Sequence, residues 1–250
     1  MNLKGGVGKT VTALNLADCL NRAKKSVLLV DCDGQASLTR FYFPNFDPDI
    51  GLTVADILRG TGEPVWADNV LPINKYTQLL PASSDLYGLD VAAIRKGNNN
   101  GLTALRGFRD AVDEDRDTDY MIFDCPPGFT AASVSALMAA QEVVIPMLVD
   151  GFSVWGVTDM MVQISSIRTA NPTIRIAGVL ITQWHNTEVV RQGEAMLRGL
   201  QLPVFRTVIR RTDKIPESTF DRSSIYDYSP RSAAGIDYRL WVQEYLGEEC

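Results

Sequence analysis

Lys4-Gly5-Gly6-Val7-Gly8-Lys9-Thr10 stands directly before an amphipathic stretch, and the reading of these residues decides the fold. Three glycines let successive backbone N–H groups turn inward around an anion, because no Cβ blocks the approach. A helix beginning near Lys9 aims its free N–H groups and the positive end of its dipole at the same anion. In such a cradle Lys9 reaches the β- and γ-phosphates of a nucleotide, and the Thr10 hydroxyl coordinates Mg²⁺. The motif departs from the pattern GxxxxGK[ST], since Leu3 stands where the first glycine is usual and Lys4 precedes the glycines. The plainer alternative is a Gly-rich turn without a ligand.

Outward from this loop, short β-branched runs alternate with helical stretches, the mark of βαβ units around a parallel sheet. Ala13, Leu16, Ala17 and Leu20 recur at i, i+3, i+4, i+7 and give the first helix its sheet-facing stripe. Strands are predicted at Ser26–Val30, Tyr120–Phe123, Val143–Val149, Arg175–Thr182 and Val204–Val208. Further helices are predicted at Val154–Thr169, Glu188–Leu200 and Ala234–Leu246. Phe41–Gly51, with two prolines, reads as a loop leading to a short helix near Val54–Leu58. Asp110–Asp119, rich in acids, reads as a solvated approach to the strand at Tyr120. With no repeat or linker, residues 1–250 read as a single domain. Only Met1, Asn2 and Leu3 precede the loop, so its strand is expected to be truncated and the loop weakened.

The chain has 250 residues, 46% apolar and 22% charged, the balance of a globular protein. Its longest apolar runs are too short to cross a bilayer, and no signal peptide fits the first residues. Cys19, Cys32, Cys125 and Cys250 show no CxxC spacing, so a reducing cytoplasm is expected and the cysteines read as small buried hydrophobes. An iron–sulfur site would need two cysteines per subunit, and the stretch between Cys32 and Cys125 offers Cys125 no partner. His185 is the only histidine, which leaves a His-based metal site or a Ser-His-Asp triad unsupported. The net charge is −6. Residues 1–167 carry the excess of acid, whereas residues 168–250 are slightly basic on balance. A local cationic surface in the last third is therefore the place to look for nucleic-acid contacts.

Asp31 and Asp33 lie two apart at the end of a buried strand, where open α/β sheets bind ligands. The plainer reading of Asp33 is an N-cap for the turn Gln35–Leu38. Asp124 follows four apolar residues and precedes Pro126 and Pro127, which stiffen the turn. A carboxylate there suits Mg²⁺ held through water, and the N–H of Gly128 suits a γ-phosphate sensor. An ordinary Asp-Pro turn is the alternative.

Taken together these motifs resemble the ParA/MinD group of P-loop ATPases with its deviant Walker A motif. KGGVGKT carries the group's leading lysine, and VLLVDCD at Val27–Asp33 with Gln35 resembles D-x-D-P-Q. MIFDCPPG at Met121–Gly128 is similar to the Walker B and switch II segment, and Val143–Gly156 to the strand and helix start after it. Thr207–Tyr238, with Arg211, Glu217, Asp227, Ser232 and Tyr238 on recurrent positions, resembles the ParA branch. Gly34 departs from the group's proline, which would loosen the switch loop, and Arg210 also replaces a usual proline.

The resemblance implies a P-loop NTPase three-layer α/β sandwich with a mostly parallel central sheet. It implies ATP and Mg²⁺ as cofactors, with Gly5, Gly6, Val7, Gly8, Lys9, Thr10 and Val11 around the phosphates. Thr10 and Asp124 would serve the metal, Asp33 would orient the attacking water, and Asp31 would support the metal and phosphate site. Lys4 would reach a partner's phosphates across a nucleotide-sandwiched homodimer, since closing two triphosphates face to face needs cations at the seam. Thr182, Gln183, Ile209 and Arg210 fall where adenine is contacted. The ATP-bound dimer would bind DNA without sequence preference through Arg206, Arg210, Arg211 and Lys214, and a ParB-like protein would stimulate hydrolysis. The protein is expected in the cytoplasm, on the nucleoid when ATP-bound, partitioning plasmid, chromosome or mobile-element DNA. An acidic C-terminus opposes membrane docking of the MinD kind. Two alternatives stay open: a nucleotide-gated positioning scaffold that never touches DNA, and an ATP-dependent metabolic enzyme of the same fold.

Overall fold

The computed structural model describes residues 1–60, 70–96, 100–115, 118–151 and 153–247. Phe152, within the stretch matched to the family, and Cys250 lie outside them. The chain gathers into two compact units: Leu20–Ala140, and Met1–Cys19 with Gln141–Cys250.

Leu20–Ala140 is built on a sheet ordered β2-β3-β1-β4, with β1 (Val27–Asp31) between β3 (Thr77–Leu80) and β4 (Tyr120–Asp124). Both pairings of β1 are parallel, and only the short β2 (Leu71–Pro72) runs antiparallel, against β3. All five residues of β1 are buried, as an unbroken apolar run in a parallel strand requires. Asp119 sets the start of β1 beside β4: its carboxylate accepts from the Ser26 N–H at 2.8 Å and from Lys25 Nζ at 3.3 Å. The register then places Asp31 opposite Asp124 at the carboxyl ends. The helices described in this unit include α2 (Ser37–Tyr42), α3 (Val54–Arg59), α4 (Asp85–Lys96), α5 (Ala104–Asp115) and α6 (Ala131–Ala139). Thr53 and Asp56 close a capping box on α3, with Thr53 Oγ1 donating to Asp56 at 2.6 Å.

The acidic stretch is helical as far as Asp115 rather than irregular, while Asp110, Asp113, Glu114 and Asp119 are exposed, as a solvated approach requires. Leu105, Phe108 and Val112 on its buried face hold the helix, and the acids occupy the other faces. Residues 116 and 117 are outside the described part.

The other unit holds β5 (Glu142–Leu148) paired in parallel with β6 (Arg175–Thr182). Its helices are the first part of α1 (Lys9–Arg22), α7 (Ser153–Ile167), α8 (Glu188–Gly199), α9 (Lys214–Phe220), α10 (Ile225–Tyr228) and α11 (Ala233–Leu246). Met1–Leu3 form no strand, but they run along β5: the Met1 ammonium donates to the Val144 carbonyl and Asn2 Nδ2 to that of Pro146, each at 2.7 Å. Trp241 of α11 is fully buried against Phe205 and Tyr245. Gly178 permits this packing, since a Cβ there would lie 2.7 Å from the Phe205 ring.

Val204–Val208, predicted as a strand, is instead a single bridge between Val204 and Val179. Glu244 is the reason. Its carboxylate accepts from the backbone N–H groups of Arg206 at 2.6 Å and Thr207 at 2.9 Å, which interrupts the ladder. Among the described residues, no helix is long and apolar enough to cross a membrane.

Candidate functional site

The loop Lys4–Thr10 turns on two glycines in the left-handed region, Gly6 at φ +72° and Gly8 at φ +84°. A side chain at either would be strained. A Cβ built at Gly5, Gly6 or Gly8 would meet no protein atom within 4 Å, so the loop's glycine faces are open. Lys9 and Thr10 open α1, and Lys9 Nζ folds back to donate to the Lys4 carbonyl at 3.0 Å. Its ammonium thus lies against the loop backbone, where an anion would meet it.

This loop, expected to be weakened, is braced from β6 and its end. Thr182 Oγ1 donates to the carbonyls of Val7 at 2.9 Å and Met147 at 3.2 Å. Gln183 Nε2 donates to the Gly6 carbonyl at 2.7 Å. Gln183 adopts φ +51° to reach it, an unusual backbone for a residue other than glycine. Thr182 is buried, and its side chain supports the loop. Lys4 forms an ion pair with Asp150, a partner 146 residues away in sequence that nothing in the local motif announces.

α1 is also fastened on its far face. Thr12 Oγ1 lies 3.2 Å from the Tyr238 hydroxyl, Asn15 Oδ1 accepts from the Ile225 N–H at 3.0 Å, and Ser224 Oγ donates to Asp18 at 2.8 Å. Ile209 and Arg210, predicted near adenine, run beside the end of β6: the Trp184 N–H donates to the Ile209 carbonyl at 2.9 Å, and the Arg211 N–H to the Trp184 carbonyl at 2.8 Å.

In the Leu20–Ala140 unit, the carboxylates Asp31 and Asp124 end neighbouring strands, and both are buried. Asp31 Oδ2 accepts from the backbone N–H of Thr39 at 2.9 Å and from its hydroxyl at 2.8 Å, and Thr39 Oγ1 accepts from the Ala82 N–H. Burial pushes the Asp31 carboxyl up to about 6, against the pull of the Thr39 hydrogen bonds. Asp33 Oδ1 accepts from the Gln35 N–H at 2.9 Å, a turn contact rather than the N-cap of its plainer reading, since the N-cap of α2 is Ala36. Gly34 packs under Tyr87: a Cβ there would lie 2.9 Å from the ring, and Gln35 Nε2 donates to the Tyr87 hydroxyl at 2.6 Å. The loop expected to be loosened by this glycine is held by Tyr87 instead. Gly128 adopts φ +96° after the two prolines.

Cys125 has Cys32 as its neighbour. Cys32 and Cys125 each lie one residue past the Asp31–Asp124 pair, and their thiols hydrogen-bond. This contact, burial and the nearby carboxylates raise the Cys32 thiol well above its ordinary value. Both are buried, as expected for small hydrophobes, and Cys19, Cys32 and Cys125 form no disulfide.

The basic cluster is largely occupied by acids. Arg206 lies 3.7 Å from Glu244, Arg210 2.7 Å from Asp237 and Lys214 2.6 Å from Glu217. Arg211 is exposed and holds no carboxylate among the described residues. Three of the four predicted DNA contacts are thus engaged within the chain.

A family model described as an AAA domain (AAA_31) matches residues 1–176. The chromosome-partitioning ATPase Soj of Thermus thermophilus is 34% identical, over 98% of this chain and 93% of that protein. The chain belongs to the ParA/Soj/MinD group of P-loop ATPases. A structure titled cobyrinic acid a,c-diamide synthase from Mycobacterium smegmatis, with bound ATP analogue and magnesium, matches this ParA-type ATPase with a TM-score of 0.79 and 28% identity. That match covers 98% of this chain and 92% of that one. Apo McdA of Cyanothece matches with a TM-score of 0.84 and 23% identity, over 98% and 97% of the two chains. The fold these structures share is the predicted three-layer α/β class with a mostly parallel sheet.

The residues present in this ParA-type ATPase fit a nucleotide triphosphate, for the loop offers left-handed glycines, a helix start and Lys9 around one open face. Among the described residues no group of three or more His, Cys, Asp or Glu is placed to hold a metal. Asp150, Tyr87, Asp237 and Glu244 were missed by sequence reading because each acts on a residue far from it along the chain, and Thr39 because its two bonds to Asp31 depend on how the loop between them folds back.

Proposed function

We propose that this ParA-type ATPase partitions DNA, binding Mg²⁺–ATP, pairing with a second copy and then holding DNA without sequence preference. The observation that carries the reading is the loop geometry: Gly6 and Gly8 in the left-handed region, with Lys9 laid on the loop at the head of α1. In this proposal Gly5–Val11 hold the phosphates, with Lys9 neutralising them and Thr10 and Asp124 serving Mg²⁺. The metal supplies charge neutralisation of the phosphates and of the leaving oxygen. Asp33 leaves its Gln35 contact to orient the attacking water, Asp31 and Gly128 support the metal and phosphate site, and Lys4 exchanges Asp150 for a partner's phosphates. Gln183, Ile209 and Arg210 form the adenine end, which Thr182 supports from below. Arg211 makes the first DNA contact, joined by Arg206 and Lys214 when their carboxylates release them. A ParB-like protein stimulates hydrolysis, and the protein resides in the cytoplasm, on the nucleoid when ATP-bound, with all 250 residues working as one ATPase domain.

The test is retention on non-specific DNA with and without Mg²⁺–ATP. Retention should require nucleotide and vanish in Lys9→Ala, whereas equal retention in both conditions would sink the cycle.

A second reading draws on the carboxylates that occupy Arg206, Arg210 and Lys214: a nucleotide-gated scaffold without DNA binding. Charge reversal at Arg211 and Lys214 separates the two, since only a DNA binder loses salt-sensitive retention. A third follows from the likeness to a protein titled as a synthase, and a stoichiometric small-molecule product would reveal it.

A further inference from the structure

Arg210 brings two demands to a position where proline is usual in the family: a backbone N–H that must be satisfied, and a positive charge. Asp237, on α11, meets both. The Arg210 N–H donates to Asp237 Oδ2 at 2.9 Å. The guanidinium forks onto the same carboxylate, with Nε at 2.9 Å from Oδ2 and Nη2 at 2.7 Å from Oδ1. Asp237 is only 5% exposed, so this carboxylate is committed to Arg210 and would be a costly unpaired charge without it. Hydrogen bonding to Asp237 also raises the guanidinium's pKa further, so the charge is permanent.

The pair bears on the backbone around it. The Ile209 N–H donates to the Ile181 carbonyl at 2.8 Å, and Trp184 is bonded to both Ile209 and Arg211. Trp184 directly follows Gln183, whose amide grips the phosphate loop at Gly6. The segment Ile209–Arg211 is therefore pinned on one side to the end of β6 and on the other to α11. Proline would stiffen this segment by fixing φ and would need no acceptor. Here a bidentate ion pair gives the stiffness instead.

We propose that Asp237 is a positioning residue which, through Arg210, fixes the Ile209–Arg211 backbone for the base of the bound nucleotide. It rests on the reading of this chain as an ATPase whose loop Lys4–Thr10 takes the phosphates. The clamp acts on the base and not on the triphosphate, and it removes Arg210 from the DNA-contacting set.

Calorimetric titration in Mg²⁺ buffer with ATP and with inorganic tripolyphosphate separates these effects. Asp237→Ala should weaken ATP about tenfold, the scale of a lost charge-assisted hydrogen bond, and leave tripolyphosphate within about twofold of the parent. Arg210→Pro combined with Asp237→Ala removes both the demand and its acceptor, and should return ATP to within about threefold of the parent. Asp237→Asn keeps the volume and one acceptor, serves where the alanine variant does not fold, and should give an intermediate loss for ATP alone. Unchanged ATP affinity in the single variants, equal losses for both ligands, or no recovery in the double variant overturns the proposal. A parent chain that binds neither ligand instead overturns the ATPase reading on which it rests.

Discussion

In the proposed cycle Lys9 is the residue on which nucleotide use turns, and its expected behaviour is specific. Its ammonium already lies against the Lys4 carbonyl, so Lys9→Ala removes charge without disturbing packing. ATP hydrolysis should fall about 10²-fold or more, the scale of a lost phosphate-stabilising group, with the melting temperature little changed. A matching loss of melting temperature would assign Lys9 a structural role instead. Lys4 behaves differently because Asp150 holds it within the chain. Asp150→Ala releases that lysine for a second copy, and light scattering should then show dimers at lower ATP concentration than for the parent. No shift in that midpoint would disconnect Lys4 from pairing. Lys9 and Thr10 were legible because their chemistry lies within a few residues of the glycines. Asp150 and Asp237 were not, since a side chain's partner across more than a hundred residues, or from helix to loop, leaves no trace in local spacing.

At the scale of elements, α11 carries more of the architecture than its amphipathic pattern suggests. Glu244 ties it to the segment before Ile209 by accepting from two backbone N–H groups. Those bonds hold the Glu244 carboxyl below its ordinary 4.5, against the opposite push of burial. A carboxyl lowered in the folded state contributes its full stability above 4.5 and loses it as pH falls through the folded value. Thermal melts from pH 6 downward should therefore show the parent losing stability below about 4.5 more steeply than Glu244→Gln, and parallel curves would refute the role. Gly235 in the first turn of α11 is a second constraint. A Cβ there would lie 2.7 Å from the Ser229 carbonyl oxygen and 3.0 Å from that of Pro230, both rigid backbone atoms. Gly235→Ala should destabilise by about 2 kcal/mol in chemical denaturation, and a neutral result would mean that the turn yields. Strands such as Arg175–Thr182 were legible from unbroken apolar runs. The segment Val204–Val208, whose apolar residues are interrupted by Arg206 and Thr207, forms only a bridge, and a distant glutamate takes two of its donors.

For the whole molecule the expected behaviour is a linked equilibrium, in which nucleotide, a second copy and DNA favour one state. Retention on DNA should fall steeply with salt, and Arg211→Glu with Lys214→Glu should reduce that slope together with the affinity. Retention that ignores both salt and these charges would favour the scaffold reading. The sequence by itself determined the class of machine: a phosphate loop of glycines, lysine and threonine before a helix, with acids at strand ends, is local chemistry written in consecutive residues. It also located β1, β4, β5 and β6, because a parallel strand covered on both faces needs an apolar run visible in one dimension, but it missed β3, where Thr77 and Gln78 leave only two apolar residues. Only the tertiary structure decided which charges are engaged. It gave Lys4 to Asp150 and Arg210 to Asp237, set Cys32 beside Cys125, and braced the loop with Thr182 and Gln183. Most of these pairings join positions far apart in the chain, and an ion pair forms wherever folding brings opposite charges within reach, whatever the spacing between them.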